Sequence, residues 1–151
     1  MRTANWVHFA CHGMQSFAEP TESCLLLSGL SRLTILETIK LDLKNAELAF
    51  LSACDTATGD QDLPEEAVHL AAGVLMAGYR AVIATMWTIN DTVTVDVADE
   101  TYRILFQEYG GDYRKAAEAL HFAIRNVRKD KLAKGQKVKL FYWVPFIHLG
   151  I

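Results

Sequence analysis

The sequence predicts an α/β domain built on a mostly parallel sheet, and two observations carry that prediction. Short apolar runs rich in β-branched and aromatic residues alternate along the chain with longer segments of helical periodicity. The short runs are apolar almost throughout, as strands covered on both faces are, rather than alternating between apolar and polar. At 151 residues and 51% hydrophobic content, the chain is sized for one domain with a substantial core.

The first strand is "WVHFACHG", residues 6–13, which stops on His12-Gly13. "MQSFAEPTES" is polar and holds a proline, so it is a loop, and "CLLLSG" reads as a short strand of a hairpin. Leu33, Leu36, Ile39 and Leu43 are spaced for a helix over "LTILETIKLDL". "AELAFLSAC" is a second buried strand, ending on Cys54. After the loop "DTATGDQDLPEEA", Pro64 suits the first turn of a helix that aligns Val68, Ala72, Leu75 and Met76 on one face and ends at Gly78. "RAVIATMW" is a third strand. The helix over 93–110 aligns Val97, Thr101, Leu105 and Tyr109, and Gly110-Gly111 breaks it. Asp112 caps the next helix, with Ala116, Leu120, Ile124 and Val127 on its inner face, and "DKLAKGQKVK" follows as a charged loop. "LFYWVPFIHLGI" closes as a strand, and Pro145, which cannot donate to a ladder, places it at an edge.

Composition removes several classes of function. A formal charge of −3 gives no reason to expect a nucleic-acid partner. No apolar run approaches the roughly 20 residues that cross a bilayer, and the N-terminal stretch lacks the pattern of a signal peptide. Three cysteines without CxxC spacing read as free thiols in a reducing, cytoplasmic setting. Cys11, His12 and Cys54 lack the spacing of a zinc site, and no glycine-rich phosphate loop is present, so no metal or cofactor is expected.

Ligands of an open parallel sheet bind beyond the carboxyl ends of its strands. Three such ends are His12-Gly13, Cys54-Asp55 and "WTIND" at 87–91. On neighbouring strands they share one rim, where a thiol and an imidazole are the minimum for nucleophilic catalysis. Cys11 and Cys24 belong to apolar runs and are read as core. His8, His69, His121 and His148 are read as structural or surface residues.

At "HFACHG" and "LSACDTATGD" the chain resembles the CHAT family of caspase-like cysteine peptidases, relatives of separase. "EAVHLAAGVLMAGYRAVIATMW" and "YWVPFIHLGI" continue the likeness in order, over essentially residues 1–151. The resemblance implies a caspase-like three-layer sandwich, of which this chain is the catalytic C-terminal part, following an N-terminal half-domain or a TPR region. It implies a cysteine endopeptidase acting on protein or peptide substrates, with His12 as general base, Cys54 as nucleophile and the main-chain N–H groups of Gly13 and Cys54 as oxyanion hole. Glycine at 13 would let the backbone turn sharply against the substrate. By its likeness to separase, Asp91 is a candidate floor for a pocket that binds a basic side chain, against the alternative that it caps the following helix. A catalytically silent scaffold and a small-molecule esterase or amidase are the competing readings. The strand 7–11, with nothing but "MRTANW" before it, is expected at a sheet edge.

Overall fold

The computed structural model describes residues 3–14, 16, 19–52, 54–55, 65–87, 91–137 and 139–150. The chain runs through β1 (Trp6–Phe9), β2 (His12–Met14), β3 (Cys24–Leu26), β4 (Arg32–Thr34), α1 (Ile35–Ile39), β5 (Leu48–Leu51), β6 (Cys54–Asp55), α2 (Glu65–Met76), β7 (Ala81–Thr85), α3 (Asp91–Gln107), α4 (Ala116–Ala133) and β8 (Phe146–Gly150). The main sheet has the order β1-β5-β7-β8, parallel except for the β7–β8 pair. Both expected edges are found, β1 on one side and β8 on the other, but β8 begins only after Pro145, and Leu140–Tyr142 of the expected closing strand form a turn of 3-10 helix.

Alternation along β5 builds the layers. Leu48 and Phe50 join Ala81 and Ile83 in a core with Val97, Ile104 and Leu105 of α3 and Ala116, Leu120 and Ala123 of α4. Ala49 and Leu51 join Val82 and Ala84 in a second core with Ala71 and Val74 of α2. A mostly parallel sheet thus lies between two helical layers, and all four residues of β5 are buried. Each large side chain buried this way contributes roughly 1.5–3 kcal/mol, so β5 is firmly held. Among the described residues, no helix is long and apolar enough to cross a membrane.

Several expectations are corrected. The first strand does not run unbroken to His12-Gly13. It leaves the main sheet after Phe9, and β2 belongs to a second small sheet of order β4-β3-β2-β6. The second strand divides likewise into β5 and β6. The helix expected from Leu33 begins only at Ile35, because Thr34 is its N-cap. The Thr34 hydroxyl accepts from the Glu37 N–H at 3.1 Å, and the Glu37 carboxylate accepts from the Thr34 N–H at 2.9 Å. On α2 the inward residues are Ala71 and Val74, while Met76 is 69% exposed. Helix α4 runs to Ala133, through the first part of the segment expected as a charged loop, helped by an ion pair from Lys131 to Asp96 of α3 at 2.6 Å. Val97, Thr101 and Leu105 are fully buried on α3 as expected, and Asp112 accepts from the Arg114 N–H at 3.0 Å to start the next turn of helix.

Gly78 ends α2 with φ +116°, a conformation open mainly to glycine. A Cβ there would collide with the carbonyl oxygen of Leu43, whose own N–H donates to the Ala77 carbonyl at 2.7 Å. Gly78→Ala is therefore expected to cost at least about 2 kcal/mol. Chemical denaturation monitored by circular dichroism checks this; an unchanged midpoint would mean that the α2–β7 turn relaxes freely.

Candidate functional site

The breaks in the first two parallel strands fall side by side, and that coincidence makes the site. β1 and β5 pair in the register Trp6↔Leu48 to Phe9↔Leu51, and the Ser52 N–H donates to the Phe9 carbonyl at 2.9 Å just beyond. Both chains then turn into the second sheet, where β2 and β6 pair in parallel with His12 opposite Cys54 and Gly13 opposite Asp55. Neighbouring strands lie about 4.8 Å apart, so two residues distant in sequence become immediate main-chain neighbours. β2 is braced on its other side by β3, with His12 opposite Leu26 and Gly13 opposite Leu25. Cys24 and Leu25 are buried and anchor this hairpin in the core.

His12 is exposed on the rim, whereas Gly13 is buried. Gly13 is the middle residue of a strand flanked on both sides, so it is not the sharp turn expected from the sequence. The side chains of Cys54 and Asp91 lie outside the described residues, as do residues 88–90 and 56–64. Asp91 is the first residue of α3.

Beside His12 lies an open cavity of about 280 Å³. Its sheet side is formed by His8, Ala10, Cys11, His12 and Ser52, and its helical side by Thr94, Val95 and Ala98 from the first turns of α3. Sequence reasoning missed this cavity and two of its residues. His8 was expected to be merely structural and Ser52 was not singled out. His8 Nε2 and Ser52 Oγ share a hydrogen bond of 2.8 Å across the β1–β5 pair. The His8 ring stacks on Phe50 at 4.9 Å between centroids and lies 5.7 Å from Tyr102. This surround withdraws water and lowers the His8 pKa, although the residue remains exposed toward the cavity. Tyr102, shielded in the same cluster, is pushed up to about 12 by burial. The period-two pattern placing His8 and Ser52 on the Phe50 face was the signal available in the sequence.

The two other thiols are both shielded to some degree. Cys24 is wholly buried, as expected; burial, the largest influence on it, raises its pKa. Cys11, expected in the core, is only half-buried: it packs against the second core and also lines the cavity, because the chain is leaving the sheet at that point. Burial raises its pKa too. Among the described residues, no three histidine, cysteine or acidic side chains gather as a metal site.

With this geometry in place, comparison with known families is informative. The CHAT domain family matches residues 1–151. The chain belongs to the CHAT domain family. A search of curated proteins returns no match. Within this CHAT domain the described residues of "ACHG" and "LSACDTA" lie at the β1–β2 and β5–β6 junctions.

His8 and His148 both have pKa values lowered by burial from the ordinary 6.5. The unfolded chain then binds protons more tightly than the folded one, so stability is full above about pH 6.5 and falls as pH drops toward the lowered folded values. Thermal melts between pH 7 and pH 5 should show this loss, and His8→Gln should make the slope shallower. An identical slope in the variant would mean that His8 takes up its proton as readily folded as unfolded.

Proposed function

We propose that this CHAT domain is a cysteine peptidase domain in which His12 is the general base and Cys54 the nucleophile. The observation that carries the reading is the parallel register that sets His12 opposite Cys54 at the strand junctions. The exposure of His12 supports it, as does the raised pKa of both other thiols, which leaves them poor nucleophiles at neutral pH.

In this reading the His12 imidazole takes the thiol proton and the Cys54 sulfur attacks the scissile carbonyl carbon. The carbonyl π bond opens to a tetrahedral oxyanion. Collapse breaks the C–N bond, and His12 returns the proton to the leaving amine. Water, deprotonated by His12, then hydrolyses the acyl-enzyme and restores the thiol. The main-chain N–H of Cys54 holds the oxyanion. That of Gly13 joins it, as the family resemblance implies. The substrate is a protein or peptide, and a reducing cytoplasmic setting keeps the thiol available. Control by an upstream sensor or TPR region belongs to the same proposal and rests on the family resemblance alone.

Two measurements test the pair. Brief alkylation of the folded protein followed by mass spectrometry should label Cys54 ahead of Cys11 and Cys24. Cys54→Ala and His12→Ala should each remove nearly all peptidase activity, and the double variant should be little worse than either, because the groups act in one step. Appreciable turnover by Cys54→Ala would sink the mechanism. Retained partner binding with no turnover in any form of the protein would favour the silent scaffold.

A further inference from the structure

Outside the site, the chain segregates its charge. Seven of its 15 Lys and Arg residues lie between 125 and 139, where Asp130 is the one acid, although the whole chain carries −3. Lys131 is paired with Asp96 and Lys134 with Asp130. Arg125, Arg128, Lys129, Lys137 and Lys139 are exposed and form no ion pair among the described residues. Arg125, Arg128, Lys129 and Leu132 stand at helical spacing on one exposed face of α4. Gly135, with φ +69°, then ends the helix and turns the chain toward the remaining lysines. Apolar side chains interleave with these cations: Leu132, Leu140, Phe141 and Val144 are each more than half exposed. The Val144 N–H donates to the Leu140 carbonyl at 3.1 Å, which sets these two residues one helical turn apart on the same side. The Phe141 ring lies 5.5 Å from that of Trp87, whose indole N–H donates to the Phe141 carbonyl at 3.3 Å, so the turn is held in place.

We propose that this stretch, from Arg125 along α4 to Val144, is an interaction surface for an acidic segment of another protein that carries leucine and phenylalanine side chains. The proposal stands apart from the peptidase reading and holds whether or not the domain cleaves a peptide bond. Unpaired cations draw the acidic residues in and set their register. Large apolar groups exposed together mark a contact, and these lose their water only if the partner brings apolar surface of its own. Because Trp87 already holds the Phe141 turn, little ordering remains to be done on binding. Two other anionic partners fit less well. A nucleic acid would answer the cations, but its phosphates offer nothing to Leu132, Leu140 and Val144. An anionic bilayer would answer both, yet it approaches as a plane, and the rest of the chain carries a net negative charge that it would repel. A short acidic segment meets the basic stretch alone.

The test uses the 151-residue chain and a fluorescein-labelled peptide of Asp and Glu interrupted by Leu and Phe, with binding read by fluorescence anisotropy. One comparator peptide replaces Leu and Phe by Ser, and a second replaces Asp and Glu by Asn and Gln. Affinity should fall roughly tenfold or more with either comparator and should weaken as salt rises. Lys137→Glu with Lys139→Glu should weaken binding roughly fivefold, and Leu140→Ser with Phe141→Ser roughly tenfold, in proteins whose thermal melts match the parent. Where either pair disturbs the fold, Arg128→Glu with Lys129→Glu on the exposed face of α4 reads the same surface. Equal binding of the Ser comparator would leave only a general attraction for anions and overturn the proposal. Binding unchanged by all three pairs would place the contact elsewhere and overturn it too. Tighter binding to vesicles of phosphatidylcholine with phosphatidylserine would replace it with a lipid surface, and tighter binding to duplex DNA with a nucleic-acid surface. No measurable binding of the acidic peptide at low salt would refute it outright.

Discussion

The pairing of β1 with β5 is the constraint on which the rest of the site depends. β1 is an edge strand of four residues with one strand neighbour, so its register is held by few contacts. Side-chain hydrogen bonds lie at both ends of the pair. Trp6 Nε1 donates to the Glu47 carboxylate at 2.9 Å at the start, and His8 meets Ser52 at 2.8 Å at the finish. Trp6 also stacks on Phe106 of α3 at 5.1 Å, tying the edge strand to the helical layer. A slip of one residue would turn every side chain of β1 to the other face. It would also carry His12 out of register with Cys54, because β2 follows after only two residues.

A contrast in robustness follows between the two sheets. The main sheet is packed on both faces and includes fully buried β5 and β7. The second sheet pairs strands of two or three residues. Elements this short contribute little stability of their own and take their positions from what anchors them. Here the anchors are Cys24 and Leu25 in the core and the capping box that starts α1. His12 and Cys54 thus ride on the thin sheet while their spacing is set by the thick one. Such an arrangement leaves the rim free to adjust to a ligand without disturbing the core.

Much of this was legible in the sequence, and the losses have physical causes. Fully apolar runs identified β5 and β7 as two-faced strands, and Pro145 identified an edge. Val97, Thr101 and Leu105 announced the inner face of α3 because a long helix gives periodicity room to show. The transfer of chain from one sheet to the other after Phe9 was not legible. Nothing in "FAC" marks a break, since Phe9, Ala10 and Cys11 continue the apolar run although β1 ends at Phe9 and β2 starts at His12. The adjacency of His12 and Cys54 was legible as two strand ends on one rim. The cavity was not, because it needs α3, far along the chain, to supply its other wall.

His8 and His12 show how four residues of separation assign two roles to one side-chain type. His8 lies on the last turn of pleat inside the main sheet, opposite Phe50, and inherits that residue's aromatic surroundings. There, protonation is disfavoured and the ring is fixed by Ser52. His12 lies beyond the crossover, opposite Cys54, and is open to solvent. The difference does not come from either histidine but from Phe50, which is fully buried at the centre of β5 and reaches both Tyr102 and His8. The packing of one core phenylalanine is therefore coupled to the wall of the cavity next to the rim. Because β6 follows β5 after only two residues, a disturbance at that ring has a route of four residues along the chain to Cys54. Core and candidate site in this domain are successive strands, β5 and β6, of one stretch of chain.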